Sequence, residues 1–221
     1  VDILLDRYPY NAWGTGLSSF LPLWARQGST DDILNRLKNK ELKEKISQYM
    51  NTRATLIGGW DHVMISSCSE EKNKKYEGQY ISDAAKMAGK KPTQFVFDIL
   101  IEERNNVGVI GFAMDEKNLK KVLADPLTVI GSDGNAVAPY GKLHKGNPHP
   151  RYYGTFARVL GKYCREENIF DWQTAIKKMT SMSAQKLHLK NRGILQKDYF
   201  ADITIFDPET VIDKATYVDP H

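Results

Sequence analysis

The apolar positions change rhythm along the chain. Val1–Tyr8 is a short apolar-rich run ended by Tyr8-Pro9-Tyr10, which predicts a strand. Asn11–Ser19 carries Gly14, Gly16 and small hydroxyl residues and predicts a loop. After the apolar, aromatic run Phe20–Ala25, Thr30 or Asp31 can cap a helix bearing Ile33, Leu34 and Leu37. Leu42, Ile46, Tyr49 and Met50 fall on one stripe of a second helix, from about Glu41 to Met50. Ala54–Ile57 and Val63–Ser66 read as short strands around Gly58-Gly59, and residues 68–80 as a charged surface loop. Ile81–Ala88 and Pro92–Glu103 predict helices, the second with Pro in its first turn, where its missing N–H costs nothing.

From residue 107 the texture is different. Val107–Met114 is an apolar strand, and Asp115 caps an amphipathic helix (Leu119, Val122, Leu123) that stops at Asp125-Pro126. Leu127–Ile130 reads as a buried strand ending in Gly131-Ser132-Asp133-Gly134, followed by a long Gly/Pro/His loop to Pro150. Helices are expected from about Tyr153 to Glu166, from Trp172 to Met179 behind an Asp171 cap, and from Ser181 or Ser183. Ala201–Phe206 alternates as a strand that Asp207-Pro208 breaks. The strand–helix–strand–loop–helix order over 107–179 is a β/α pattern and favours a parallel sheet or barrel. The mostly helical stretch before it lacks that rhythm and reads as an insertion.

Composition narrows the class. The chain has 221 residues, 41% hydrophobic and 26% charged, which suits a globular fold of one domain or one and a half and excludes a fibrous chain. No uninterrupted apolar run reaches the ~20 residues of a transmembrane helix, and the first residues do not read as a secretory signal. The net charge of +4 is spread through mixed-sign runs such as 38–45 and 70–75, which form solvated faces, so neither nucleic acid nor a membrane is an expected partner. Cys68 and Cys164 lie far apart with no CxxC, which points to bland thiols in a reducing, cytoplasmic compartment.

Three places can carry chemistry. Asp133 is delivered by a buried strand and followed by a long loop; at such strand ends a carboxylate can bind a cation or shuttle a proton. The competing reading is an Asp in a Ser-Asp-Gly tight turn. The loop His144–Arg151 is stiffened by Pro148 and Pro150; Arg151 offers a planar fork for a carboxylate, and His149 can ligate, shuttle a proton or only hydrogen-bond. A plain surface loop is the alternative. Tyr8 can reach the same pocket with its hydroxyl, or can be a half-buried packing residue. HxH, HExxH, GxSxG, GxGxxG and the P-loop are all absent, and the five histidines show no metal-ligand spacing.

Taken together, Tyr8-Pro9-Tyr10, Gly131-Ser132-Asp133-Gly134, His149-Pro150-Arg151-Tyr152-Tyr153-Gly154-Thr155-Phe156 and Arg158-Val159-Leu160-Gly161 resemble the D-aminoacylase family of the amidohydrolase superfamily. Lys178-Met179-Thr180-Ser181, Asn191-Arg192-Gly193, Ala201-Asp202-Ile203 and Phe206-Asp207-Pro208 continue the resemblance. It implies an α/β fold, the C-terminal part of a metal-dependent (β/α)8 TIM barrel with a mostly helical insertion and the start of a small β-sandwich. The implied divisions are 1–19 (barrel strand and loop), 20–105 (lid-like insertion), 106–192 (last β/α units) and 193–221 (start of the sandwich).

The resemblance further implies zinc-dependent hydrolysis of the amide bond of small N-acyl, D-configured amino acids. Asp133 would be general base and acid and a possible second-metal contact. Arg151 would bind the substrate carboxylate, with Tyr8 and His149 as further substrate contacts. The family's HxH pair, its metal-bridging residue and its other histidine ligands are not in this sequence. The strand-first, Met-less start fits a fragment whose partner is the missing N-terminal part of the same barrel, inactive by itself. A glycine is usual where Asp198 stands, which suggests a divergent member. The other readings are a non-catalytic binding module that keeps the fold, or a dihydroorotase- or hydantoinase-like branch.

Overall fold

The computed structural model describes residues 3–144 and 146–221. Val1 and Asp2 of the first expected strand, and Lys145 of the Pro-rich loop, lie outside the described residues. The strands are β1 (Leu5–Arg7), β2 (Trp13–Gly16), β3 (Val63–Ser67), β4 (Gly108–Gly111) and β5 (Thr128–Ile130). The α-helices are α1 (Thr30–Lys38), α2 (Lys40–Thr55), α3 (Ile81–Met87), α4 (Pro92–Glu102), α5 (Glu116–Ala124), α6 (Arg151–Arg158), α7 (Trp172–Met179) and α8 (Ser181–Lys186). The chain is α/β and forms two compact units: 12–114 with 138–149, and the remainder, in three segments up to Asn11, 115–137 and 150–221.

In the three-segment unit, β1 and β5 pair in parallel, with Leu5 opposite Thr128 and Arg7 opposite Ile130. Asp115 caps α5 as its sequence signals, its side chain accepting the Asn118 N–H at 2.8 Å. Leu119 and Leu123, one turn apart, bury the face of α5 against Ile130, Val159, Leu160, Tyr163 and Ala175. α6 runs into a π-helix, Val159–Glu166. Gly161 lies where that helix meets the C-terminal segment, and a Cβ there would overlap the Val211 carbonyl. Asp171 caps α7 by accepting the Thr174 N–H. Buried Lys178 of α7 donates to the carbonyls of Asp125 and Thr128, tying the helix to the start of β5.

The other unit has its own core, in which Leu37, Ile46, Met50, Trp60, Phe95, Phe97 and Leu100 pack under a small antiparallel sheet of order β2-β4-β3. Trp13 lies opposite Gly111 and Gly16 opposite Gly108, so the first and last strands of this unit are neighbours.

Four expectations are corrected. The strand in Val107–Met114 exists, but it pairs antiparallel with β2 and β3 and so is no member of the parallel β/α series. The loop Asn11–Ser19 contains β2, whose glycines hid it. Ala54–Ile57 is no strand: Ile46, Met50 and Ala54 continue one buried stripe of α2 at four-residue spacing, while Leu56 is 75% exposed. Ala201–Phe206 pairs with no strand among the described residues, and its Ile205 is 93% exposed. None of the described helices is long and apolar enough to cross a membrane.

Candidate active site

The register of β1 on β5 brings Tyr8 and Gly131 off adjacent strand ends. Asp6, Arg7, Tyr8, Gly131 and Asp133 line a cavity of about 290 Å³ there. The polar wall follows from the sequence: Asp6 and Arg7 close β1, and Asp133 stands three residues past the end of β5.

Asp133 adopts a left-handed backbone, φ 46°, which Asp tolerates better than most residues. Around it Gly134 donates its N–H to the Ser132 hydroxyl at 3.2 Å, a side-chain turn. Arg151 reaches this turn twice. Its Nε donates to the Asp133 carbonyl at 2.9 Å, and its Nη2 lies 2.8 Å from the Asp133 carboxylate. The Arg151 side chain is 4% exposed and that of Asp133 67%, so a buried cation presents an open carboxylate. Arg151 is the first residue of α6, where the helix dipole disfavours positive charge; the Asp133 carboxylate offsets this. Pinning both atoms of one residue with one rigid guanidinium fixes the strained turn and the carboxylate direction together.

Tyr8 joins them. Its ring lies 4.9 Å from the Arg151 guanidinium carbon and 4.5 Å from that of Arg7, and Arg151 also packs at 5.3 Å on Tyr152. Cation–π contact with a desolvated arginine holds the ring as well as the charge.

His149 lies apart from this cavity's lining residues. It belongs to the other compact unit, is buried, and its Nε2 sits 3.0 Å from the Ala12 carbonyl. A carbonyl can only accept, so Nε2 carries the hydrogen in this bond, the hydrogen-bonding role among those the sequence leaves open. Among the described residues no group of three or more His, Cys, Asp or Glu could hold a metal ion. Both cysteines are free and buried, and burial pushes the Cys68 thiol up to about 12, far from a reactive thiolate.

Sequence reasoning passed over Arg7 and Arg158. Arg158 sits seven residues after Arg151, the spacing that returns a helix to the same face, and this was the signal available.

The amidohydrolase family profile matches residues 48–220. The chain belongs to the amidohydrolase family. It is 41% identical over 143 residues to a D-aminoacylase of Alcaligenes xylosoxydans xylosoxydans, covering 65% of this chain and 27% of that protein. It is 41% identical over 113 residues to an N-acyl-D-aspartate deacylase of the same organism, covering 51% of this chain and 21% of the relative. Among solved structures, an N-acyl-D-glutamate deacylase from Bordetella bronchiseptica, complexed with zinc and a phosphonate mimic of the tetrahedral intermediate, superposes with a TM-score of 0.71 at 29% identity. The match covers 100% of this chain and 36% of that one. A D-aminoacylase crystal structure superposes with a TM-score of 0.68 at 32% identity, over 99% of this chain and 36% of the other. The chain thus spans about a quarter of the length of the curated relatives it matches.

Proposed function

We propose that the chain is part of an N-acyl-D-amino-acid deacylase, in which Asp133 moves the proton and Arg151 and Tyr8 meet the substrate's α-carboxylate. The observation that carries the reading is the buried Arg151 holding an open Asp133 carboxylate at the ends of two parallel strands. The likeness to D-aminoacylases supports it. Asp133 accepts a proton from the attacking water and returns it to the departing amine. Arg151 and the Tyr8 ring orient the substrate by its carboxylate, which brings the scissile amide to Asp133.

In this reading the β1/β5 pair belongs to a (β/α)8 barrel, the inserted unit is the variable part of the fold, and 193–221 begins a small sandwich. The low coverage of the relatives supports a further part of the barrel supplied by residues outside this chain. Zinc is a property of the Bordetella relative. The described residues do not make a metal cage: the Asp133 carboxylate is engaged by Arg151, and no three or more His, Cys, Asp or Glu side chains stand together. The two free cysteines favour a cytoplasmic setting.

Asp133→Asn in the intact protein tests the reading. Turnover of an N-acetyl-D-amino acid is expected to fall at least about 10²-fold, with metal content unchanged by elemental analysis. Retained turnover would overturn the role of Asp133. A second reading has its own observation, the 2.8 Å ion pair: Arg151 serves to aim Asp133, and the substrate carboxylate is met elsewhere.

A further inference from the structure

One buried network in the three-segment unit has no part in the chemistry above. The Asp213 side chain, 3% exposed, lies 3.1 Å from Nη1 of Arg158 and accepts the Tyr10 hydroxyl at 3.1 Å. The same guanidinium donates through Nε to the Pro9 carbonyl at 2.9 Å and packs on the Tyr10 ring at 4.8 Å. Arg7 donates to the next carbonyl, that of Tyr10, at 3.0 Å. The packing leaves no slack: a Cβ on Gly154 would overlap the Tyr10 hydroxyl and come within 2.8 Å of the Asp213 Cβ.

We infer that Asp213 is a positioning residue for the carboxylate grip: by fixing Arg158 it fixes the Pro9 carbonyl, and with it the Tyr8 ring that packs on Arg151. The inference rests on the deacylase reading. A buried ion pair adds little net stability over an apolar pair of similar volume, so its use here lies in where its bonds end. They end on the main chain directly after Tyr8. Arg158 and Arg151 project from one face of α6, so the helix that carries the grip also carries the clamp on its aromatic wall. Asp213 comes from the C-terminal segment, 203 residues beyond Tyr10.

The test uses Asp213→Asn in the intact protein, which keeps size and an acceptor for Tyr10 but removes the charge that orients Arg158. Steady-state kinetics compare an N-acetyl-D-amino acid with its α-carboxamide analogue. Expected are a KM for the acid raised about tenfold, kcat changed less than about threefold, and an acid-over-amide preference reduced about tenfold. An equal loss on both substrates, or no loss on either, overturns the inference. A wild-type protein that hydrolyses neither compound overturns the deacylase reading itself, which separates the two failures. Where Asp213→Asn does not accumulate folded, Arg158→Lys carries the test. It keeps a cation beside Asp213 and loses the Nε bond to Pro9, so the same KM rise is expected and an unchanged KM refutes the proposal.

Discussion

Arg151 touches its surroundings in more ways than any other residue of the site. It pairs with a carboxylate, donates to a carbonyl and packs on two tyrosine rings, all from the first turn of α6. Lysine can copy the charge but not the plane. Arg151→Lys is expected to raise KM for an N-acyl-D-amino acid about tenfold or more while lowering kcat less, read by steady-state kinetics. A kcat loss at unchanged KM would assign Arg151 to aiming Asp133 instead. At this scale the candidates Asp133, Arg151 and Tyr8, which the fold brings together, each sit in a short motif whose neighbours, glycine or proline, advertise a special backbone. Asp213 was not legible: it lies in a tail without periodicity, and its partners Tyr10 and Arg158 are brought to it only by the fold. His149 shares a motif with Arg151, yet its ring goes to the Ala12 carbonyl, a contact no local pattern encodes.

Elements with a stripe were read better than those defined by a partner, although the cap of α1 is Ser29 and not Thr30 or Asp31. Asp115 and Asp171 cap α5 and α7 where the sequence signals it, since a cap and its N–H lie three residues apart. Asp115→Ala is expected to destabilise the protein by about 1 kcal/mol through the lost Asn118 N–H bond, seen as a lower urea midpoint with an unchanged slope. β4 illustrates the limit: its apolar run says strand, but nothing in Gly108-Val109-Ile110-Gly111 says whether the neighbour is parallel or antiparallel. β2 has two glycines in four residues, so it lacks the alternation that would announce it. In Ala201–Phe206 the alternation is present but no partner strand is among the described residues, and hydrogen bonds to a neighbour, not pattern, make a strand. The π-helix after α6 is equally invisible, because its apolar spacing mimics an α-helix.

For the molecule as a whole, charge acts on stability through pH. Burial pushes the Glu116 carboxyl up, but hydrogen bonds from Lys162 at 2.7 Å and Tyr163 at 2.9 Å outweigh it and hold the group below its usual range. Glu102, held by Lys72, and Asp98, where Lys90 and Gln94 outweigh burial, are lowered likewise. A carboxyl depressed by folding contributes stability that is complete above its unfolded pKa of ~4.3 for Glu and is lost as pH falls through the folded value. Glu116→Gln is therefore expected to lower the urea midpoint at neutral pH, and the difference from wild type should shrink as pH drops below about 4. A difference that stays constant across that range would show that the Glu116 bonds contribute no pH-linked stability.

The pairing of Trp13 with Gly111 has a consequence for how the chain is assembled. A unit of about a hundred residues interrupts the chain between β1 and α5, yet it enters and leaves through neighbouring strands. Once folded, it behaves in loop-closure terms as a short connector, since entropy depends on the free chain between fixed points and not on residues counted. Without it the chain would read β1, α5, β5, an ordinary crossover of two parallel strands by one helix. The free chain that β1 and α5 must close is therefore far shorter than the residue count between them, because the Trp13–Gly111 pairing holds the two ends of the intervening unit side by side.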